Sequence, residues 1–265
     1  MILYKYVPFA AGNTILESNG IGFSQPKFFN DPFDLPSYPV EKCDNSAEDI
    51  FERIHLMIKG CIWSKNTGIL SMTRTPTNPL MWAHYADKHK GMVIGIDVIA
   101  AGLTLEEKNL IPAQYGSVIY VSKRLNEPFI AKPATGLLVG ATHHFPHDHY
   151  EKLQRLFLHK PLCWFYEEEV RIVKCLQDVS REKGDTRSGH FEIVDTNGRD
   201  LYVLSLPRDS IKELYFGIRA DVGETDALFY KIEGLHPQLL VYKCMLNREN
   251  LNVGFARYSP IAESG

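Results

Sequence analysis

The sequence predicts one α+β domain over residues 1–265, built of mixed or antiparallel twisted sheets with flanking helices. Three observations carry that expectation. Short strand-like runs are mixed with amphipathic segments, without the strict strand–helix alternation of a doubly wound parallel sheet. No internal repeat, low-complexity tract or linker-like stretch divides the chain. Its 265 residues, 45% hydrophobic and 23% charged, suit a soluble globular chain long enough to bury roughly 70–75% of its unfolded surface.

The elements follow in order. Residues 2–6 read as a first strand, and Asn13 or Thr14 as the cap of a short helix that Gly20 closes. Residues 21–24 read as a second strand. Pro26, Pro32, Pro36 and Pro39 make residues 25–45 an ordered, packed loop rather than a helix. Ser46 with Asp49 forms a capping box for a helix to about residue 59. Residues 62–64 and 69–73 flank Asn66-Thr67-Gly68 as a hairpin. Asn78 caps the next helix, with Pro79 at its first position. Residues 91–97 form a buried strand and residues 115–121 another. A helix is expected over roughly 148–159. Residues 191–194 pair with 201–206 across the Asn197-Gly198 turn. A strand at 211–218, a helix at 224–232 and a last strand at 239–244 complete the core, which spans about 2–245. Surface insertions are expected at about 122–146 and 178–189.

The net charge of −3 gives no general attraction to nucleic acid or to anionic membrane. Five scattered cysteines, odd in number and without a C-x-x-C pair, read as reduced thiols of a cytoplasmic protein. The first residues lack a signal peptide's layout, and no apolar run approaches the roughly 20 residues of a membrane span. Membrane partners are therefore not expected. The phosphate-binding G-x-x-x-x-G-K-[ST] loop, G-x-G-x-x-G, the G-x-S-x-G elbow and H-E-x-x-H are all absent.

Chemistry concentrates in the run Trp164-Phe165-Tyr166-Glu167-Glu168-Glu169-Val170-Arg171-Ile172-Val173. Read as a strand, it places Glu167, Glu169 and Arg171 on one face and Trp164, Tyr166, Val170 and Ile172 on the other. Two carboxylates beside a guanidinium suit a cationic or polyhydroxylated substrate; an exposed edge strand laced with an ion pair reads the same way. In Phe28-Phe29-Asn30-Asp31-Pro32-Phe33-Asp34, turn-forming polar groups stand beside an aromatic wall that would suit a planar ring, or simply pin the loop to the core. Trp82 and Tyr85 share a helix face with His84 a third of a turn away. His143, His144, His147 and His149 form a metal-ligand cluster in composition, but Pro146 interrupts it and no carboxylate or cysteine joins at a fitting spacing.

These runs together resemble the bacterial domain-of-unknown-function family 2971. The resemblance rests on Leu3-Tyr4-Lys5-Tyr6, on Phe23-Ser24-x-Pro26 leading to Phe29-Asn30-Asp31-Pro32-Phe33-Asp34, and on Ser71 ahead of Met81-Trp82-Ala83-His84-Tyr85-Ala86. Lys90-Gly91 and Lys160-Pro161-x-x-Trp164-x-Tyr166-Glu167-x-Glu169-x-Arg171 complete it. A second resemblance, to the ADP-ribosyltransferases, implies an ADP-ribosyltransferase-like core. Tyr4-Lys5-Tyr6 would be its first polar strand, Ser71-Met72-Thr73 (or Ser24) its second element and Glu167-x-Glu169 its third; the first strand departs in carrying no Arg or His.

That resemblance implies an enzyme using NAD as substrate and no metal, set in a toxin or an antiphage defence effector, with a protein or nucleic-acid acceptor. It makes Glu169 and Glu167 the catalytic pair. Tyr4, Lys5, Tyr6, Ser24, Asn30, Asp31, Ser71, Trp82, His84, Tyr85 and Arg171 become the candidates for holding NAD. The alternatives are a NAD glycohydrolase on the same site, and a metal-dependent nuclease or non-catalytic binding module.

Overall fold

The computed structural model describes residues 1–34, 62–123, 153–249 and 252–260. Strand β1 (Ile2–Val7) alternates as the sequence requires, sending Leu3 and Val7 into the main core and Tyr4 and Tyr6 to the opposite face. Pro8, fixed at φ −58, turns the chain directly into helix α1 (Phe9–Ser18). The helix therefore starts earlier than expected, and Thr14 lies inside it, donating its hydroxyl to the Ala10 carbonyl at 3.1 Å. Asn19, left-handed at φ 53, ends the helix in place of Gly20, which already belongs to β2 (Gly20–Phe23).

The expected hairpin around Asn66-Thr67-Gly68 is not formed. Residues 62–66 are helical, Thr67 bonds back to the Trp63 carbonyl at 2.6 Å, and β3 (Thr67–Thr73) starts there. The Asn78-Pro79 signal opens helix α2 (Pro79–Tyr85), with the Asn78 carboxamide oxygen accepting from the Leu80 and Met81 N–H groups. Strand β4 (Met92–Asp97) follows. Of the strand expected at 115–121 only β5 (Ile119–Val121) forms, paired in parallel with β6 (His159–Pro161).

The acidic run is half strand. Leu162–Glu167 is a 3-10 helix, Glu168 turns at φ 45, and β7 (Glu169–Cys175) begins one residue later. Strands β8 (Asp185–Thr186), β9 (Gly189–Asp195) and β10 (Asp200–Ser205) come next, so part of the expected insertion at 178–189 is built into a sheet. The Asn197-Gly198 turn has both residues at positive φ, as a tight hairpin of this kind demands. Strand β11 (Ile211–Phe216), helix α3 (Val222–Glu233) and β12 (Leu240–Asn247) make a parallel crossover unit. A further strand, β13 (Asn252–Arg257), lies beyond the strand expected to be last. The capping box at 46–49, the histidines at 143–149 and most of the insertion at 122–146 fall outside the described residues.

The strands form a seven-stranded sheet, ordered β13-β12-β11-β4-β1-β3-β7, and a four-stranded antiparallel sheet, β2-β10-β9-β8. In the large sheet only β11 and β12 run parallel. One face of it packs with the small sheet and with α1 and α3, joining Leu70, Ile94, Ile172 and Phe216 to Phe23, Leu204, Leu16 and Leu228 in a single core. The other face carries two separate apolar patches: Tyr6, Val93 and Tyr215 under Trp82 and Met81 of α2, and Ile69 and Val173 under Phe157 and Ile111. Tyr4, Ser71, Thr73, Glu169 and Arg171 share that face by strand alternation, and polar groups crowd there.

Candidate functional site

Strand β1 pairs with β4 along its whole length, and β3 likewise with β7, but β1 and β3 meet at a single register point, Tyr4 opposite Thr73. The two halves of the sheet splay apart from there. Lys5 fills part of the split, its Nζ donating to the Ser71 carbonyl at 2.8 Å, a group that a continued ladder would have paired.

A cleft of about 130 Å³ opens at this split. Tyr4, Lys5 and Tyr6 of β1, Ser71, Met72 and Thr73 of β3, and Met81 and Tyr85 of α2 line it, together with Phe29, Asn30, Asp34, Lys160, Glu167 and Glu169. A cavity of about 150 Å³ holds one six-membered ring, whereas drug-sized ligands take about 300–1,000 Å³. One ring or one sugar fits, with the rest of a larger ligand outside.

The cleft's acidic wall is held by ions. Glu169 is 5% exposed and Arg171 1%. Arg171 donates from Nε to Glu169 Oε1 at 2.9 Å, from Nη2 to Glu169 Oε2 at 3.1 Å and to Asp34 Oδ2 at 2.6 Å, and from Nη1 to the Phe157 carbonyl at 2.7 Å. Lys160 Nζ donates to Glu167 Oε2 at 2.5 Å and Glu169 Oε2 at 2.9 Å, with Asp34 Oδ2 at 3.9 Å. The other oxygen of Glu167 accepts from the Tyr85 hydroxyl at 2.5 Å.

Burial alone would raise the Glu169 pKa, but Arg171 and Lys160 outweigh it and pull it down to about 2. For Asp34 the burial effect wins over Arg171, and its pKa is raised, Glu169 adding to the rise. Lys160 is lowered by burial yet raised overall by Glu169 and Glu167. Lys5 ends lowered, because burial exceeds the attraction of the same two carboxylates. Burial and the Glu167 carboxylate both push the Tyr85 hydroxyl up.

Loops fix this geometry from outside. Asp31 accepts from the Trp164 indole N–H at 2.8 Å and from the Phe33 N–H at 2.8 Å, tying the loop of Asn30 and Asp34 to the 3-10 turn. The Asn78 side chain donates to the Tyr166 carbonyl at 2.6 Å, and the Tyr6 hydroxyl to the Thr75 carbonyl at 3.0 Å, docking α2 on the same turn and on β1. Gly116 accepts from the Arg171 N–H at 2.8 Å; a Cβ there would lie 2.0 Å from the Arg171 carbonyl oxygen, so only glycine lets this segment cover β7.

Of the thirteen residues singled out from sequence, the structure brings Tyr4, Lys5, Tyr6, Asn30, Ser71, Tyr85, Glu167 and Glu169 to the cleft. Arg171 stands behind Glu169. Trp82 is fully buried, its indole N–H on the Pro76 carbonyl at 2.8 Å, and forms core rather than a ligand platform. His84 is exposed, its ring 6.3 Å from that of Tyr166. Ser24 bridges to Ile69 in a backbone pair, and Asp31 serves the loop anchor.

Sequence reasoning missed Lys160, Asp34 and Tyr120, whose hydroxyl accepts from the Glu169 N–H at 2.9 Å. Lys160 and Asp34 sit inside the quoted runs Lys160-Pro161-x-x-Trp164 and Asn30-Asp31-Pro32-Phe33-Asp34, and a count of buried-charge partners needed for Glu167, Glu169 and Arg171 would have pointed to both. Among the described residues no group of three or more His, Cys, Asp or Glu gathers as a metal site, and no helix is long and apolar enough to cross a membrane.

The model of the family described as "Protein of unknown function (DUF2971)" matches residues 81–172, from α2 into β7. That is the family to which the order of motifs points, and the matched stretch holds Tyr85, Lys160, Glu167, Glu169 and Arg171. No curated protein and no solved structure matches the chain.

Proposed function

We propose that the cleft cleaves the nicotinamide–ribose bond of NAD and transfers ADP-ribose to a protein or nucleic-acid acceptor. One observation carries this reading: the three segments that the ADP-ribosyltransferase resemblance would assign, Tyr4-Lys5-Tyr6, Ser71-Met72-Thr73 and Glu167 with Glu169, line one cleft at a split in one sheet.

The ribose that carries the scissile bond matches the single ring a cleft of about 130 Å³ holds, leaving nicotinamide and the rest of the dinucleotide at its mouth. As that bond breaks, its electron pair leaves with nicotinamide and positive charge grows on the ribose. Glu169, ionised at any physiological pH, supplies the opposing charge in a site from which water is largely excluded. The acceptor's nucleophile then bonds to the ribose carbon and loses its proton to Glu167, which parts from Tyr85 or Lys160 to take it. Arg171 has its donors committed to Glu169, Asp34 and the Phe157 carbonyl. Lys5, with only a carbonyl bond described and facing the cleft, is the cation for the pyrophosphate.

The test is release of nicotinamide from NAD by the purified chain, followed by chromatography. Glu169→Gln is expected to cut the rate by about 10²–10³-fold; an unchanged rate removes Glu169 from the chemistry. A second reading, hydrolysis, draws support from the 4% exposure of Glu167, because water reaches so enclosed a carboxylate more easily than a macromolecular side chain does. Free ADP-ribose as the sole product selects hydrolysis, and label fixed on protein or nucleic acid selects transfer.

A further inference from the structure

We propose that Lys160 is the positioning residue of the acidic pair, and that the two-stranded β5–β6 sheet exists to present it. This rests on the reading of the cleft given above.

Tyr120 and Lys160 are register partners in that small sheet, and both grip the start of β7. The Tyr120 hydroxyl accepts from the Glu169 N–H at 2.9 Å, and Lys160 Nζ donates to the Glu169 carboxylate at 2.9 Å. The same ammonium takes Glu167 Oε2 at 2.5 Å. Glu167 sits on a 3-10 turn and Glu169 on a strand, with Glu168 left-handed between them, so no regular element fixes one carboxylate relative to the other. Lys160 does so by taking both as counter-ions, its ammonium also 5.4 Å from the centroid of the Trp164 ring.

Among the described residues, the charged and titratable groups facing the pair are Lys5 from β1, Asp34 from the 26–34 loop, Tyr85 from α2, Tyr120 from β5, Lys160 from β6, Tyr166 from the 3-10 turn and Arg171 from β7. Arg171 contacts Glu169 but not Glu167 in any described bond, and Lys5 bonds a carbonyl. Lys160 is therefore the one described cation hydrogen-bonded to both carboxylates, Lys5 attracting them without a described bond to either. Without it, two like charges crowd a buried space, and one must take up a proton.

The experiment is carboxyl-carbon NMR on the full chain with 13C-labelled glutamate, the two signals assigned with Glu167→Gln and Glu169→Gln. In the unaltered protein the Glu169 signal is expected to stay flat between about pH 5 and 8, its carboxyl being held low by Arg171 and Lys160, whereas in Lys160→Met one carboxyl of the crowded pair takes up a proton inside that window. Lys160→Arg, which keeps the charge, restores the flat response, and Lys160→Gln serves if Lys160→Met does not fold. In parallel, nicotinamide release by Lys160→Met is expected to fall about 10²-fold and to gain a pH limb at the NMR midpoint, with Lys160→Arg partly rescued.

Flat titration in both Lys160→Met and Lys160→Gln overturns the proposal, even if activity falls. Should the unaltered chain release no nicotinamide while the titration behaves as described, the NAD reading falls and the positioning role of Lys160 stands.

Discussion

Strand β7 buries two cations three residues apart on opposite faces, and they are kept in opposite ways. Arg171, on the cleft face, is 1% exposed and meets Glu169 and Asp34 with three N–H groups. Lys174, on the core face, is 2% exposed and meets only the carbonyls of Lys108 at 3.1 Å and Ser188 at 2.6 Å. Burial opposes the charge of both, but Glu169 and Asp34 hold the Arg171 pKa above its usual range, while Lys174 sinks to about 7, with Lys108 adding repulsion. A neutral amine has two N–H donors to set against two carbonyls, so Lys174 can be satisfied without a counter-ion. The cleft face keeps its ions as ions; the core face tolerates a cation by letting it discharge. Only the first arrangement leaves charge available for chemistry.

Breaking the cleft-side arrangement should have the largest effect. Arg171→Met leaves Glu169 and Asp34 buried with Lys160 as their remaining close cation, and a stability loss of about 3–5 kcal/mol is expected in urea unfolding. Its pH dependence changes too. The Glu169 carboxyl, depressed from 4.5 to about 2, adds stability that is fully present above about pH 4.5 and lost as pH falls towards 2. In Arg171→Met, where the Glu169 carboxyl is held down less, the loss between about pH 4.5 and 2 should be smaller. A loss below about 1 kcal/mol, within the range of exposed ion pairs, would mean that the contacts of Arg171 are no more than a surface bridge.

How far this contrast was readable beforehand differs by element. The alternation from Glu169 onward follows from period-two geometry, so Arg171 could be placed beside Glu169, and Val170 and Ile172 opposite, from residue types alone. Asn78-Pro79 and Asn197-Gly198 carry their own backbone chemistry and formed the cap and the turn they encode. Glu167 was placed on the right side of the site for an incorrect reason: it reaches Lys160 from a 3-10 turn, and a glutamate at φ 45 is imposed by its surroundings, not by propensity. Strand β13 escaped because Asn252 and Gly254 weaken its pattern, which is completed only by pairing with β12. The split between β1 and β3, and the crossing of Lys160 to both glutamates, are long-range events with no local signature.

On the core face the expected change is smaller and opposite in sign at low pH. Lys174 has a folded pKa of about 7 against 10.5 in the open chain. Between those values the unfolded chain holds a proton that the folded one has released, so stability should rise with pH across that window, by at most about 1.4 kcal/mol per pH unit for a single group. Below pH 7 the full penalty of charging applies. Lys174→Met removes the titrating group while leaving the carbonyls of Lys108 and Ser188 without this donor, and these opposing terms make the net change near neutral pH small, about 1 kcal/mol either way. The decisive readout is the slope: thermal stability of Lys174→Met should be flatter than that of the unaltered chain from pH 7 to 10. Equal slopes would mean that Lys174 stays charged inside, and the contrast with Arg171 would collapse.

The smallest effect tests whether the cleft face keeps polar groups for a ligand at a cost to the fold. Thr73 is 1% exposed, lies opposite both Tyr4 and Glu169 in register, and its hydroxyl has no partner among the described residues; Asp34 Oδ1 is in the same condition. An unmade hydrogen bond at a buried hydroxyl costs about 1–3 kcal/mol, and Val has nearly the same shape as Thr. If the fold alone were at stake, Thr73→Val should raise stability by up to about 1 kcal/mol, read as a shift in the unfolding midpoint at unchanged slope. If the hydroxyl also serves the ligand, the same variant should release nicotinamide more slowly than the unaltered chain despite its greater stability. A variant that is more stable and equally active would show that Thr73 is a packing compromise at the split; one that is less stable would show that its hydroxyl already has a partner, and the cleft face would then be as fully satisfied as the core face.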